Sequence, residues 1–225
     1  MTLSPLDRRP IAARQLRIFR TMASSLARAG VSPNAISVAG MFAGLGAGAC
    51  LAITPRISED RAAWLCAAAL IPLRLLANML DGMVAEVSGR TSKVGELYNE
   101  IPDRVSDSAV LVGLGYAMSS SVPLGFAAAI LAMLTAYIRA VGKAAGAPQA
   151  FGGPMAKQQR MALVVLTAIF FGLMPQEFRM WSWQVPRSHT RLGIPAIVLL
   201  VISLGCAVTC VRRLRFVCAR LGSPS

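Results

Sequence analysis

The sequence predicts an all-α polytopic membrane protein with six transmembrane helices preceded by an amphipathic interfacial helix. Three observations carry that prediction. Of the 225 residues 55% are hydrophobic and only 15% charged, with a mean hydropathy of +0.58, which is too apolar for an ordinary soluble domain. The apolar residues gather in uncharged runs of about 20, the length a helix needs to cross a hydrocarbon core of roughly 30 Å. The Lys and Arg residues collect between alternate runs, as the positive-inside rule expects of a spanning chain.

Taken in order, the first element lies between residues 14 and 29. Leu16, Phe19, Met22 and Leu26 recur there at helical spacing, with Arg17, Arg20 and Arg28 elsewhere around the axis, the pattern of a helix lying in the headgroup layer. No apolar core follows the early charges before residue 35, so no cleavable signal is expected. A mitochondrial transit peptide competes, because the stretch is Arg-rich and nearly free of acids. It ranks lower, since "VSPNAIS" at 31–37 reads as a turn leading straight into the first span.

The spans are expected over the runs 35–55, 62–80 (broken only by Arg74), 108–138, 161–176 and 192–211. The third is too long for one helix and carries "SSSVP" at its middle, a polar cluster closed by Pro, so it divides into two. The run from Met161 is short, but Arg160 at its edge can snorkel and let the helix begin earlier. Within the first span Gly40, Gly44 and Gly48 recur every fourth residue. The stripe fits a close helix approach that shapes a site or a homodimer, or else ordinary tight packing within the bundle, and spacing alone favours packing. Short linkers and the lack of an internal repeat indicate one domain: an interfacial helix and turn over 1–33, the bundle over 34–213 and a basic tail over 214–225.

Charge sets orientation. Residues 8–28, 90–104, 139–160 and 212–220 hold seventeen of the 23 Lys and Arg, so the termini and these linkers are expected on the cytoplasmic side, in a bacterial inner membrane. Topology thereby explains most of the formal +13 charge, and no nucleic-acid partner is needed. Cys50, Cys66, Cys206, Cys210 and Cys218 lie in or beside apolar spans without metal-type clustering, and read as small buried hydrophobes.

Polar residues at membrane depth are costly and mark candidate sites. In "LANMLDGMVAEVSG", from Leu76, Asn78 and Asp81 stand three apart; Asn99 and Asp103 stand four apart at the start of the third span. Each pair shares one helix face. If the two helix ends meet, four oxygen-bearing side chains converge, a donor set suited to a hard cation such as Mg²⁺, which usually keeps substrate phosphates as further ligands.

At these residues the chain resembles the CDP-alcohol phosphotransferases, whose signature reads D-x2-D-G-x2-A-R-x8-G-x3-D-x3-D. Asp81, Gly82, Ala85, Gly95 and Asp103 stand at pattern positions, and "SPNAIS" and "GGPMAKQQR" extend the similarity over most of the chain. Asn78 and Asn99 replace two of the four Asp, and Glu86 replaces the Arg, so net charge over the signature is unchanged while its position moves. The resemblance implies an integral membrane enzyme in which an alcohol attacks the lipid-side phosphorus of a CDP-lipid and CMP leaves. It implies Asp81, Asn78, Asn99 and Asp103 as metal ligands, with one tightly held Mg²⁺ or Mn²⁺ and a second recruited alongside the substrate diphosphate. Asp103 would be the general base. Asn34, Asp81, Gly82, Ala85 and Gly95 would bind the CDP group.

Arg74, Arg139, Lys143, Lys157 and Arg160 are candidates to grip a substrate phosphate, or else positive-inside anchors. The expected acceptor is therefore a small phosphorylated alcohol, with glycerol 3-phosphate the first candidate. Two other classes stay open: a catalytically silent homologue that binds CDP-lipid or scaffolds lipid enzymes, given weight by the two Asn, and a small transporter, disfavoured because paired broken helices in two related halves are absent.

Overall fold

The computed structural model describes residues 16–89, 93–179, 181–184 and 191–222. Arg8, Arg9, Arg14 and Arg90, counted above for orientation, lie outside the described residues, as do the first residues of the interfacial helix.

Helix α1 (Arg17–Arg28) ends where Gly30 adopts a positive φ of 75°. Two backbone bonds close it there: Val31 N–H to the Leu26 carbonyl and Gly30 N–H to the Ala27 carbonyl, both 3.1 Å, a left-handed cap that favours Gly. Ser32 then accepts the Ala35 N–H at 3.1 Å and Pro33 occupies the first turn, which starts α2 (Pro33–Ile53). The turn expected at 31–37 is thus built from the residues that announced it. Phe19, Ala23 and Leu26 of α1 pack against Met79, Met83 and Val84 of α3 (Arg61–Val87), so part of the amphipathic stripe docks on the bundle, while Leu16 and Ile18 stay exposed.

The long apolar run divides as expected: α4 (Lys93–Tyr116) stops before the Ser cluster and α5 (Val122–Ala144) restarts with Pro123 in its first turn. Helix α6 (Lys157–Leu173) begins four residues before Met161, and α8 (Ile194–Leu221) continues to the end of the described chain. Four of these six long helices, α2, α3, α5 and α8, are long and apolar enough to cross a membrane. Helix α6 has 17 residues, about 25 Å at 1.5 Å per residue, and the first two-thirds of α4 carry Glu100, Asp103, Arg104 and Asp107.

The six helices close a ring in which each packs on its neighbours in the order α2, α3, α6, α8, α5, α4. Leu51, Trp64, Ile71, Leu111, Leu114, Met161, Phe171, Leu199 and Ile202 fill its interior, with the Trp64 and Phe171 rings stacked at 4.7 Å. The Gly stripe lies at the closest helix approaches within the ring. A Cβ on Gly40 would meet Ala77 at 2.8 Å, one on Gly44 would meet Ser106 at 2.3 Å, and one on Gly48 would meet the Ala109 carbonyl at 2.4 Å. Its packing role is therefore internal, between α2 and its neighbours α3 and α4.

At the end remote from α1, Asp60 is buried; it accepts the Trp64 indole N–H and pairs with Arg179 on the short helix α7 (Gln176–Arg179). One feature departs from an all-helical chain: β1 (Ser182–Gln184) pairs antiparallel with β2 (Arg191–Gly193). Three-residue strands are too short for alternation to register in the sequence.

Candidate active site

The site is built at the end of the ring that carries α1, where the last turns of α3 face the first half of α4 across α2. Two layers of polar groups stack there. In the outer layer Asp81 accepts from the Ser37 hydroxyl at 2.6 Å, its own Gly82 N–H at 2.5 Å and the Asn99 amide at 3.2 Å, while the Asn78 amide donates to the Asn99 carbonyl oxygen at 3.0 Å. Ser37 comes from α2 because Gly40, one turn on, lets α2 sit against Ala77. Ser37, Gly40, Asn78, Asp81, Asn99 and Asp103 share one small pocket.

The inner layer is ionic. Arg74, 2% exposed, reaches Asp103 at 2.6 Å and Asp107 at 3.0 Å, and its Nε donates to the Ser106 hydroxyl at 2.7 Å. That hydroxyl donates in turn to the Pro102 carbonyl at 2.7 Å. Arg160, equally buried, faces Asp107 at 3.5 Å and donates to the Met155 carbonyl at 3.0 Å. Lys157 joins the layers: its ammonium donates to the Asn78 carbonyl oxygen at 2.8 Å and to both Asp103 oxygens at 2.7 and 2.6 Å.

The residues singled out in sequence separate accordingly. Asn78, Asp81, Asn99, Asp103, Arg74 and Lys157 meet directly, with Arg160 one residue deeper through Asp107. Gly82 and Ala85 follow Asp81 along α3, half-buried, and Gly95 is half-buried in the first turns of α4. Asn34 is one turn before Ser37 on α2. Arg139 stands at the rim, donating to both Glu100 oxygens at 3.1 Å beside the Phe151 ring, and Lys143 is exposed one turn further along α5. Arg104 links rim to interior, 3.3 Å from Glu100 and 3.4 Å from Asp103.

Sequence reasoning missed Ser37, Ser106 and Asp107. Asp107 continues the i+4 series of Asn99 and Asp103, so its place on the same face was legible. Arg213 is also more than an anchor of the basic tail: it is buried and donates to the Thr135 and Gly152 carbonyls at 2.7 and 3.1 Å, tying the segment before α6 to α5 and α8.

The donors decide how a metal would fit. Among the described residues the hydrogen-bond partners of buried Asp81 are neutral, and a buried carboxylate without a directly paired cation is costly, so Asp81 suits one divalent ion, whereas the Asn78 and Asn99 oxygens already accept from Lys157 and from the Asn78 amide and have only their second lone pairs to offer. Asp103, by contrast, already has its charge matched by Lys157 and Arg74. Among the described residues no three His, Cys, Asp or Glu side chains converge.

Comparison with known proteins bears on this geometry. A family model described as CDP-alcohol phosphatidyltransferase matches residues 30–211. A phosphatidylinositol phosphate synthase of Mycobacteroides abscessus is 30% identical over 192 residues, covering 82% of this chain and 80% of its own. The fold matches the crystal structure of the Mycobacterium tuberculosis phosphatidylinositol phosphate synthase with CDP-DAG bound, at TM-score 0.71 and 22% identity, over 93% of this chain and 99% of that one. The same enzyme in complex with manganese and citrate matches at TM-score 0.71 and 22% identity, over 92% and 93%.

Proposed function

The chain belongs to the CDP-alcohol phosphatidyltransferases, and from that premise we propose that it transfers a phosphatidyl-type group from a CDP-lipid to an inositol phosphate, releasing CMP. The carrying observation is the buried Asp81 carboxylate with neutral partners, set one layer above an Asp103 that is ion-paired. Glycerol 3-phosphate, first choice from the sequence, gives way to an inositol phosphate because the 30% identical relative is a phosphatidylinositol phosphate synthase.

All six long helices cross the bilayer in this reading, with termini and site on the cytoplasmic side of a bacterial inner membrane. The acceptor hydroxyl attacks the lipid-side phosphorus, and the bond from that phosphorus to the CMP oxygen breaks. Asp103 takes the hydroxyl proton on the Oδ2 lone pair not used by Lys157, while Arg74 fixes Oδ1 and the Lys157 ammonium bridges both oxygens. Asp81, with Asn78 and Asn99 beside it, would hold one Mg²⁺ or Mn²⁺, whose charge would screen the diphosphate and stabilise the leaving CMP. Gly82 and Ala85 leave the α3 backbone open to the nucleotide, with Asn34 and Gly95 at its flanks.

The candidate phosphate cations divide by burial. Arg74 and Arg160 are committed to Asp103 and Asp107 and orient the site. Arg139 at the rim is the one placed to serve the acceptor, with Lys143 one turn further along α5, because the Arg139–Glu100 pair is partly exposed (26% and 43%) and exposed pairs contribute only about 0–1 kcal/mol, easily exchanged for a phosphate.

The test is CMP release by purified protein given CDP-diacylglycerol, Mn²⁺ and either inositol phosphate or glycerol 3-phosphate, with the former expected to give the higher kcat/KM. The two Asn and the cation-matched Asp103 favour one second reading, a silent homologue that binds CDP-lipid. Saturable CDP-diacylglycerol binding without CMP release from any alcohol would establish it.

A further inference from the structure

We infer that the Lys157 ammonium is a resident cation standing where a second divalent ion would otherwise complete the site, so that this chain works with one metal ion. The inference rests on the one-ion reading of Asp81 above, and extends it to the other half of the signature.

Three features carry it. Lys157 donates to Asn78 Oδ1 at 2.8 Å and to Asp103 Oδ1 and Oδ2 at 2.7 and 2.6 Å. These oxygens belong to two signature positions on two different helices, and the distances are those of charge-assisted bonds. An ammonium has three protons and no acceptor, and all three are used. Its side chain is 13% exposed, so this is an interior charge and not a surface anchor.

Second, the charge is already complete. Arg74 touches the same Asp103 at 2.6 Å. A divalent ion placed on Asp103 would sit beside two fixed cations, Lys157 and Arg74, with neutral amides at positions 78 and 99 and with the neighbouring Asp107 already matched by Arg74 and Arg160, and low-dielectric surroundings magnify that repulsion. Asn at 78 suits the arrangement, because a neutral carbonyl oxygen can accept from Lys157 without adding charge.

Third, Lys157 is held in place from beneath. It opens α6, and the start of α6 is pinned by Arg160 to Asp107 and the Met155 carbonyl. Met155 N–H donates to Thr209 Oγ1 at 3.1 Å and Arg213 grips the Gly152 carbonyl, so α8 fixes the segment that delivers the lysine.

The test counts Mn²⁺ on detergent-purified protein by electron paramagnetic resonance titration. Wild type and Lys157→Arg are expected to bind one Mn²⁺ per chain with an isolated-ion spectrum, and Asp81→Asn to bind none. The triple variant Asn78→Asp, Asn99→Asp, Lys157→Met restores the carboxylates and removes the ammonium; it is expected to bind two, spin-coupled as ions about 4 Å apart are. Two ions on wild type, or one on a triple variant that elutes as folded protein, would overturn the inference. If the triple variant does not fold, Lys157→Met alone decides: its Mn²⁺ affinity should rise at least tenfold as the nearby positive charge goes, and unchanged affinity overturns the inference. CMP release is read separately: two ions on an active wild type sink the resident cation alone, whereas one ion on an inactive wild type sinks the proposed activity alone.

Discussion

Replacing Gly44 by Ala should damage the site without touching a polar group. The new Cβ would lie 2.3 Å from Ser106 Cβ and 3.1 Å from Ser106 Cα, against an ordinary carbon–carbon separation of about 3.5–4.0 Å, so α2 and α4 must part by about 1.5 Å. Neither contact is the far end of a flexible side chain, which places the stability cost in the overpacking range of about 1–3 kcal/mol. A change of that size lowers Tm by several degrees for a chain of this length. The functional loss should be larger. Ser106 carries the Oγ that receives Arg74 Nε at 2.7 Å, and Arg74 orients Asp103, so a shift of this order at the site costs about 10²-fold in kcat. Gly46→Ala is the control, because its Cβ would meet only Leu70 Cδ1 at 3.4 Å. Thermal unfolding in detergent and CMP release read the two effects. Equal damage from Gly46→Ala and Gly44→Ala, or a Gly44→Ala protein with wild-type kcat and Tm, would refute the reasoning.

Asp81→Asn should abolish turnover and Mn²⁺ binding while the protein purifies normally; near wild-type activity with unchanged metal dependence would remove Asp81 from the metal site. Arg139→Gln should raise the acceptor KM about tenfold and leave CDP-lipid affinity unaltered, as the loss of one charge-assisted phosphate contact implies; normal acceptor kinetics would make Arg139 a topology anchor. Arg179→Met, at the far end, leaves the buried Asp60 without its cation and should cost about 3–5 kcal/mol of stability, seen as a lowered Tm with substrate KM values unchanged.

The helices were legible because a bilayer imposes a length and a sign rule that a single sequence displays openly. The boundaries at Gly30, Ser32 and the "SSSVP" break were legible for a different reason: positive φ, capping oxygens and Pro act locally. Ring order was not. Helices apolar around most of their circumference give no periodic signal for which face meets which neighbour, and the approach of Gly44 to Ser106 links positions 62 residues apart in a chain whose spacing shows only that α2 packs tightly somewhere.

The site shows the same division between near and far. Asn78 with Asp81, and Asn99 with Asp103, are set on one face by helical spacing, and the signature adds their mutual approach. Asp107 obeys that spacing too, but it stands at the edge of an uncharged run that began at 108, and reading the run as membrane drew attention off the residue just before it. Lys157 could be read in sequence only as an anchor or a phosphate grip. Which carboxylate it meets depends on the path of residues 145–156, and that path is set by Thr209 and Arg213 on the last helix. A cation whose partner lies 54 positions away has no local pattern to announce it. The two Asn therefore looked like bare losses of metal affinity, whereas beside Lys157 the Asn78 oxygen is one of three that the ammonium needs.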